Sequence, residues 1–259
     1  MRKSRVYVSI TFDDGYRAVY TRIFPLLYRA DVQATVFLIV NKINKDGFLS
    51  IGQIKRLLDA GWEIESHTLT HSKLAYLNNS ELVKELKLSR ELLEEMFGIK
   101  VRYIAYPYSS YNLRVIKYAS RYYSAGFTNT IYPPLKVNTL PIPLDRRMLV
   151  KRINAFGEVK AYLLKYILRC FEEQISLYTC GRIHRALYWF LRRIDEEDLT
   201  TSNVLKDLVR HVRSKSSLWI VYTYHDLSDN VIKELKQLIT LLKELGIPVV
   251  LPLNVLTDR

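Results

Sequence analysis

Short apolar runs alternate with longer amphipathic stretches through the first half of the chain. The runs have the length of strands and are rich in β-branched and aromatic residues. They lie at Val6–Phe12, 33–40, 62–65 and 100–105. The pattern therefore predicts four strands before residue 106.

Helices are expected in the intervals between these strands. Ser50, followed three residues later by Gln53, is a capping box and predicts a helix that ends near Gly61. A charged amphipathic helix should run from Asn79 to Gly98, a residue suited to the turn that ends a helix. This alternation favours an α/β fold with a mostly parallel sheet or barrel.

The pattern changes in the second half of the chain. Residues 128–146 contain four prolines and are predicted to form a long loop. Residues 156–215 have apolar positions at helical spacing. The β/α pattern then returns as a strand, a helix and a final strand at 218–223, 229–245 and 247–251. We therefore expect a single domain over residues 1–259, with a mainly helical insertion at about 156–215.

The chain is strongly basic, with 39 Lys and Arg against 26 Asp and Glu and a formal net charge of +13. Such a charge favours acidic partners without choosing among nucleic acid, anionic membranes and anionic substrates. Residues 143–194 hold 11 basic and four acidic side chains with interleaved aromatics. They suit peripheral contact with an anionic membrane, but the preferred interpretation is a cover over a barrel edge or an oligomer contact. No recognition motif for nucleic acid accompanies the charge.

The remaining composition bears on location. The two cysteines, Cys170 and Cys180, cannot make a disulfide framework. No apolar leader precedes Val6, and no run reaches 18 apolar residues. These features predict a cytoplasmic protein whose membrane contact, if it has one, is peripheral. The sequence leaves the oligomeric state open.

Two segments that follow predicted strands carry candidate chemistry. His67 and His71 are four residues apart and could face one point on a helical turn. Alone, such a pair is more often surface or capping histidines. Asp13 and Asp14 precede Gly15, where the backbone can turn; alone, they could simply cap a helix.

The two segments together point to a metal site. Both lie at the carboxyl ends of strands, where barrels and open α/β sheets place their sites. Asp14, His67 and His71 would hold a divalent ion and leave coordination positions open. Asp13 would lie beside it and could take a proton from bound water. These donors suit Zn²⁺, and Co²⁺, Ni²⁺, Fe²⁺ or Mn²⁺ would also fit.

Four ordered motifs resemble the polysaccharide deacetylase family, also called carbohydrate esterase family 4 or the NodB-homology domain. They are TFDDG at 11–15, SHTLTH at 66–71, AYPY at 105–108 and YTYHD at 222–226. The resemblance covers about residues 5–153 and 216–253. It implies a distorted (β/α) barrel of about seven strands.

The resemblance also implies roles for individual residues. Asp13 would be the general base, and His225 the acid that protonates the leaving amine. The backbone N–H of Tyr108 would help to hold the oxyanion. Arg152, which resembles an arginine on a later family strand, would pair with Asp13. The metal ligands would be Asp14, His67 and His71.

The chain departs from the family pattern in several places. Tyr106 stands where members often carry the arginine that pairs with the catalytic aspartate, so Arg152 is the candidate partner, with Arg146 and Arg147 as rivals. The family's glycine after the third motif is Ser109, and the apolar residue two before the histidine is Thr223. No convincing aspartate orients His225, and Asp145 is a poor candidate.

The resulting hypothesis is a metal-dependent hydrolase that removes N-acetyl groups from a sugar or glycan. The substrate could be nucleotide-linked, lipid-linked or soluble. One alternative is a hydrolase of another linear or cyclic amide on the same fold. Another is a non-catalytic, metal-stabilised glycan-binding module.

Overall fold

A parallel β-barrel forms the centre of the protein in this computed structural model. The structure describes residues 6–130, 138–140, 144–154, 217–225 and 227–256. The strands are β1 Val6–Phe12, β2 Thr35–Leu38, β3 Glu63–Ser66, β4 Tyr103–Ala105, β5 Ala125–Thr130, β6 Asn138–Leu140, β7 Val150–Asn154 and β8 Ser217–Tyr224.

Within the described ranges, seven of these strands are parallel and close into a ring. Their order is β1-β2-β3-β4-β5-β7-β8, and β8 pairs back with β1 over seven residues, from Val6 opposite Leu218 to Phe12 opposite Tyr224. The eighth strand, β6, is antiparallel and pairs with the start of β8. The expected distorted barrel of about seven strands is therefore confirmed.

Helices cover the outside of the barrel between successive strands. They are α1 Phe24–Arg29, α2 Ile51–Asp59, α3 Asn79–Phe97, α4 Leu113–Ala119, α5 Asp229–Glu244 and α6 Pro252–Leu256. A π-helical turn at Val19–Ile23 leads into α1, and 3₁₀ turns lie at Val40–Lys42, Leu74–Tyr76, Pro107–Ser109 and Leu144–Leu149. No helix in the described part of the chain is long and apolar enough to cross a membrane.

The local sequence signals explain where the helices begin and end. The predicted capping box of Ser50 and Gln53 opens α2, with both reciprocal hydrogen bonds formed. A second box, formed by Asn78 and Glu81, opens α3 at the expected place. Gly98, with φ at 64°, ends α3.

Alternation along the strands separates an inner core from an outer one. Phe37, Phe127 and Trp219 belong to the cluster that the strands enclose. The alternate positions, such as Ile10 and Val36, pack with the apolar faces of the helices. Inward-facing positions therefore run up each strand to its carboxyl end, where the next inward residue can enter a cleft.

Helix α6 closes the opposite, amino-terminal end of the barrel. Leu256 joins the inner cluster, and the Glu63 carboxylate accepts a hydrogen bond from the Leu253 N–H at 2.9 Å. Burial raises the pKa of Glu63 to about 6. The interior of the barrel is thus filled, and α6 covers its amino-terminal end. The carboxyl end of the barrel is therefore where a site can form.

Two sequence predictions about strands were wrong. The final strand expected at 247–251 is a single bridge between Val249 and Val8. One edge of β1 pairs with β8 along its whole length, and the other edge pairs with β2 near its carboxyl end. Pro252 then starts α6 soon after Val249. The loop expected at 128–146 is instead entered by β5, which runs to Thr130, and contains β6. The predicted insertion at 156–215, with both cysteines, lies outside the described residues and stays a prediction.

Candidate active site

A cleft of about 680 Å³ opens at the carboxyl ends of the strands. Its lining includes six of the seven site residues named from the sequence, which are Asp13, Asp14, His67, His71, Tyr108 and His225. The seventh, Arg152, is fully buried beneath the cleft and contacts Asp13. β7, which carries Arg152, and the loops that follow β1, β3, β4 and β8 thus bring all seven residues together.

Three potential ligand atoms converge at one side of this cleft. Asp14 Oδ1 lies 3.5 Å from His67 Nε2 and 3.3 Å from His71 Nε2, and the two Nε2 atoms are 3.2 Å apart. A tetrahedral ion with bonds of about 2.0–2.1 Å separates its ligand atoms by about 3.3 Å. Asp14 Oδ1 is buried and has no hydrogen-bond partner in the described structure. The donor set and its spacing therefore fit a metal ion.

The histidine loop does not form the helical turn expected from the spacing of His67 and His71. Thr68 and His71 both have φ at 69°, in the left-handed region. The Thr68 Oγ1 atom accepts the His71 N–H at 3.0 Å, and Glu85 from α3 accepts the Thr70 N–H at 3.0 Å. A hydrogen-bonded bend, held by a buried carboxylate, brings the two imidazoles together.

The protonation of the cluster suits metal binding. The Nδ1 atom of His67 lies 2.8 Å from the Ala105 carbonyl, so an N–H there leaves the Nε2 lone pair facing the cluster. Burial lowers the pKa of His67 to about 3 and also lowers that of His71. Burial and the adjacent charge of Asp13 raise the pKa of Asp14 to about 6.

Asp13 faces the cluster and is held by a buried arginine. The Arg152 guanidinium makes two hydrogen bonds to it, at 2.6 Å to Oδ1 and 2.7 Å to Oδ2. Burial alone would raise the pKa of the Asp13 carboxyl, but Arg152, His67 and His225 together hold that pKa well below its usual value of 3.8. Asp13 is therefore ionised at neutral pH.

His225 follows β8 and lies on the other side of Asp13. Its Nε2 is 3.0 Å from Asp13 Oδ2, and its side chain is 30% exposed. Burial lowers the pKa of His225, but the hydrogen bond to Asp13 and the Asp13 charge outweigh it, so the net shift of that pKa is upward. His225 is thus a protonatable group between a buried carboxylate and the open cleft.

Asn129 is a site residue that the sequence did not single out. Its Nδ2 lies 3.3 Å from His225 Nε2, and its backbone N–H donates to Ser109 Oγ at 2.9 Å. The prolines beyond it led to the prediction of a loop from residue 128. Strand alternation is the sequence feature that could have identified Asn129. It lies two positions after the inward-facing Phe127 and so points to the same side of β5. The Asp145 side chain lies outside the described residues.

Tyr108 occupies a sharp turn at the edge of the cleft. Its φ is 55° and that of Ser109 is 50°, and the Tyr108 ring lies 4.6 Å from the His71 ring. Among non-glycine residues of the described chain, seven have positive φ, and five of these surround the cleft, namely Asp14, Thr68, His71, Tyr108 and Ser109. Backbone strain is therefore concentrated at the site.

Comparison with known proteins agrees with this geometry. Residues 2–127 match the family model described as polysaccharide deacetylase. A putative polysaccharide deacetylase of Bacillus subtilis, YxkH, is 34% identical over 128 residues, which are 49% of this chain and 46% of that protein. The poly-beta-1,6-N-acetyl-D-glucosamine N-deacetylase of Staphylococcus epidermidis is 34% identical over 124 residues, 42% of this chain and 43% of that protein. The matches thus span about half the length of these relatives.

A solved structure extends the likeness of fold to nearly the whole chain. The Xyl-CE4 domain of a multidomain xylanase from the hindgut metagenome of Trinervitermes trinervoides has a TM-score of 0.58. The alignment covers 98% of this chain and 90% of that chain at 14% identity, so it shows a shared fold. Residues 2–127, which contain the first four barrel strands and three of the four ordered motifs, belong to the polysaccharide deacetylase family.

Proposed function

We propose that this protein is a metal-dependent hydrolase that removes N-acetyl groups from an N-acetylated sugar or glycan. The observation that carries the proposal is the pairing of two unlike carboxylates in one cleft. Asp14 Oδ1 lacks a described partner and faces two imidazole nitrogens, whereas Asp13 is oriented by two hydrogen bonds from Arg152 and by His225. One carboxylate is therefore free to bind a cation, and its neighbour is held for proton transfer.

Asp14, His67 and His71 would hold the metal, with Zn²⁺ as the first candidate. Mixed nitrogen and oxygen donors at this spacing suit Zn²⁺ or Co²⁺ better than Ca²⁺, which prefers six to eight oxygen ligands. A divalent ion bound there would polarise the amide carbonyl and lower the pKa of the attacking water.

The chain's own residues would perform the proton transfers. Asp13, kept ionised by Arg152, would accept a proton from the attacking water. His225, whose pKa is shifted upward, would donate a proton to the leaving nitrogen from the opposite side. Tyr108 lines the cleft with its ring against that of His71, and its backbone N–H would donate to the developing oxyanion.

Acetate release tests the proposal. Chelator-treated protein would be reconstituted separately with Zn²⁺, Co²⁺, Ni²⁺, Fe²⁺ or Mn²⁺ and incubated with β-1,4- and β-1,6-linked N-acetylglucosamine oligomers and N-acetylated sugar phosphates. We expect release that follows metal content and disappears in His71→Ala. Metal-loaded protein that releases no acetate from any of these would overturn the proposal in favour of another amide substrate or a binding role.

A further inference from the structure

The mouth of the cleft carries two lysine ammonium groups, each held over an aromatic ring. Lys42 Nζ lies 5.4 Å from the centroid of the Phe48 ring, and Lys73 Nζ lies 5.4 Å from that of Tyr108. Lys42, Phe48 and Tyr108 line the cleft. Since a cation over a ring face is attracted to it, these contacts hold both charges at the rim.

Both lysines are attached to the segment that carries the paired imidazoles. Lys42 ends a 3₁₀ turn in which the Asn41 N–H donates to the Leu69 carbonyl at 3.0 Å. Lys73 follows His71 by two residues. The backbone positions of both lysines are therefore fixed relative to the reacting centre.

The charge balance of the cleft leaves these ammonium groups without an internal counter-ion. The acidic residues that line it are Asp13 and Asp14. Asp13 is paired with Arg152, and a divalent ion on Asp14 would leave an excess positive charge. In the described structure neither Lys42 nor Lys73 forms an ion pair with a carboxylate. The loaded cleft would therefore attract an anionic group.

Aromatic faces at the same rim suit a sugar ring. Tyr16 and Phe48 stack with centroids 5.1 Å apart, and the Tyr108 side chain is 61% exposed. The exposed parts of Tyr16 and Tyr108 can cover the apolar side of a pyranose, while the ammonium groups reach a substituent beyond it. A phosphate, with its several acceptor oxygens, can contact two separate ammonium groups at once.

We propose that the cleft takes an N-acetylated sugar that carries a phosphate or diphosphate next to the reacting residue, with Lys42 and Lys73 binding that group. This inference rests on the proposed deacetylase function. Nucleotide-linked and lipid-linked sugars share this chemistry.

Binding of deacetylated products tests the inference without requiring turnover. Glucosamine 1-phosphate, methyl glucosaminide and glucuronic acid would be titrated calorimetrically into zinc-loaded protein at low and high salt. We expect the sugar phosphate to bind about tenfold more tightly than the glucosaminide, with an advantage that shrinks at high salt. Equal affinity for the phosphate and the glucosaminide, or for the phosphate and the carboxylate, would overturn the inference.

Paired charge variants assign the effect to the two lysines. Lys42→Gln with Lys73→Gln should abolish the phosphate advantage and leave glucosaminide binding and zinc content unchanged. Lys55→Gln with Lys117→Gln removes the same charge from exposed positions on α2 and α4, outside the cleft lining. This control should keep the advantage, and an equal loss in both double variants would refute a local role.

Turnover separates this inference from the proposed function. With N-acetylated substrates, the Lys42→Gln, Lys73→Gln double variant should have a KM about tenfold higher for a nucleotide diphosphate sugar and for a lipid diphosphate sugar in micelles. Its KM for neutral oligomers should be unchanged. A defect with one diphosphate source alone would identify that source as the substrate. If KM for both is unchanged while acetate is still released, the inference fails and the proposed function stands. If no substrate is turned over but phosphate binding persists, the proposed function fails instead.

Discussion

Replacing Arg152 with methionine should destabilise the protein by removing the guanidinium from a buried carboxylate. Both side chains of the Arg152–Asp13 pair are 0% exposed, and the two hydrogen bonds are 2.6 and 2.7 Å long. Removing one partner of such a buried pair costs about 3–5 kcal/mol. The Arg152 guanidinium also lies over the Phe37 ring, with its Cζ 5.1 Å from the ring centroid. Methionine therefore removes this cation–π contact as well, and we expect the larger part of the loss to come from the unpaired Asp13.

The size of this loss should depend on pH. In the native protein the pKa of Asp13 lies below its usual 3.8, so its contribution to stability is present above that value and is lost as pH falls through the folded pKa. In Arg152→Met, burial would instead raise the pKa of Asp13. The variant should therefore recover stability, relative to the native protein, as pH falls from 8 to 5.

Denaturant unfolding of metal-free protein at pH 5 and pH 8, followed by tryptophan fluorescence, measures both effects. Adding Asp13→Asn to Arg152→Met should restore most of the loss, because no buried charge is then left unpaired. Arg17→Met removes an arginine from an exposed pair with Asp46 and should change little. A loss below about 1 kcal/mol that is equal at both pH values would refute the buried-pair reasoning.

Three further predictions concern single carboxylates. Asp13→Asn should lower deacetylation about 10²–10⁴-fold while zinc content by elemental analysis stays unchanged; retained turnover would refute its role as base. Glu85→Gln should weaken zinc binding at least about tenfold in competition with a chromogenic chelator, because Glu85 orders the Thr70 turn; native affinity would show that the loop orders itself. Glu63 should cost the native protein about 2 kcal/mol as pH rises from 4.5 to above 6, since ionisation is disfavoured by its raised pKa. Glu63→Gln should remove this part of the pH dependence of unfolding, and an unaltered profile would contradict the assignment.

Strand ends could be predicted from sequence because local composition determines them. The apolar run before Asp13 identified β1, and its position after a strand placed Asp13 and Asp14 at the carboxyl edge of the sheet. The capping box at Ser50 located α2 for the same local reason. The metal cluster needed only these local signals, together with the second motif at His67.

Contacts that depend on strand register were harder to predict. Arg152 was one of three candidate arginines, because its contact with Asp13 requires β7 to pair with both β5 and β8 in one register. Asn129 was missed since nearby prolines suggested a loop, whereas pairing with β7 extends β5 past it. The prediction of a final strand was wrong for a related reason. Residues such as Val249 have strand propensity, but the edge of β1 with which they would pair is shared with β2.

Directed evolution of this protein would meet a conflict between thermal stability and activity. The cause is the left-handed backbone at five residues around the cleft, which are Asp14, Thr68, His71, Tyr108 and Ser109. Each such residue costs on the order of 1–3 kcal/mol, which glycine would relieve. The Thr68 and Ser109 hydroxyls accept backbone N–H groups, so glycine there would also lose a hydrogen bond. A library sorted only for survival of heating would therefore accumulate glycine first at positions such as Asp14 and His71, and would lose these two candidate ligands. The most heat-resistant clones would therefore bind no zinc, so selection for zinc retention must accompany every round of thermal selection.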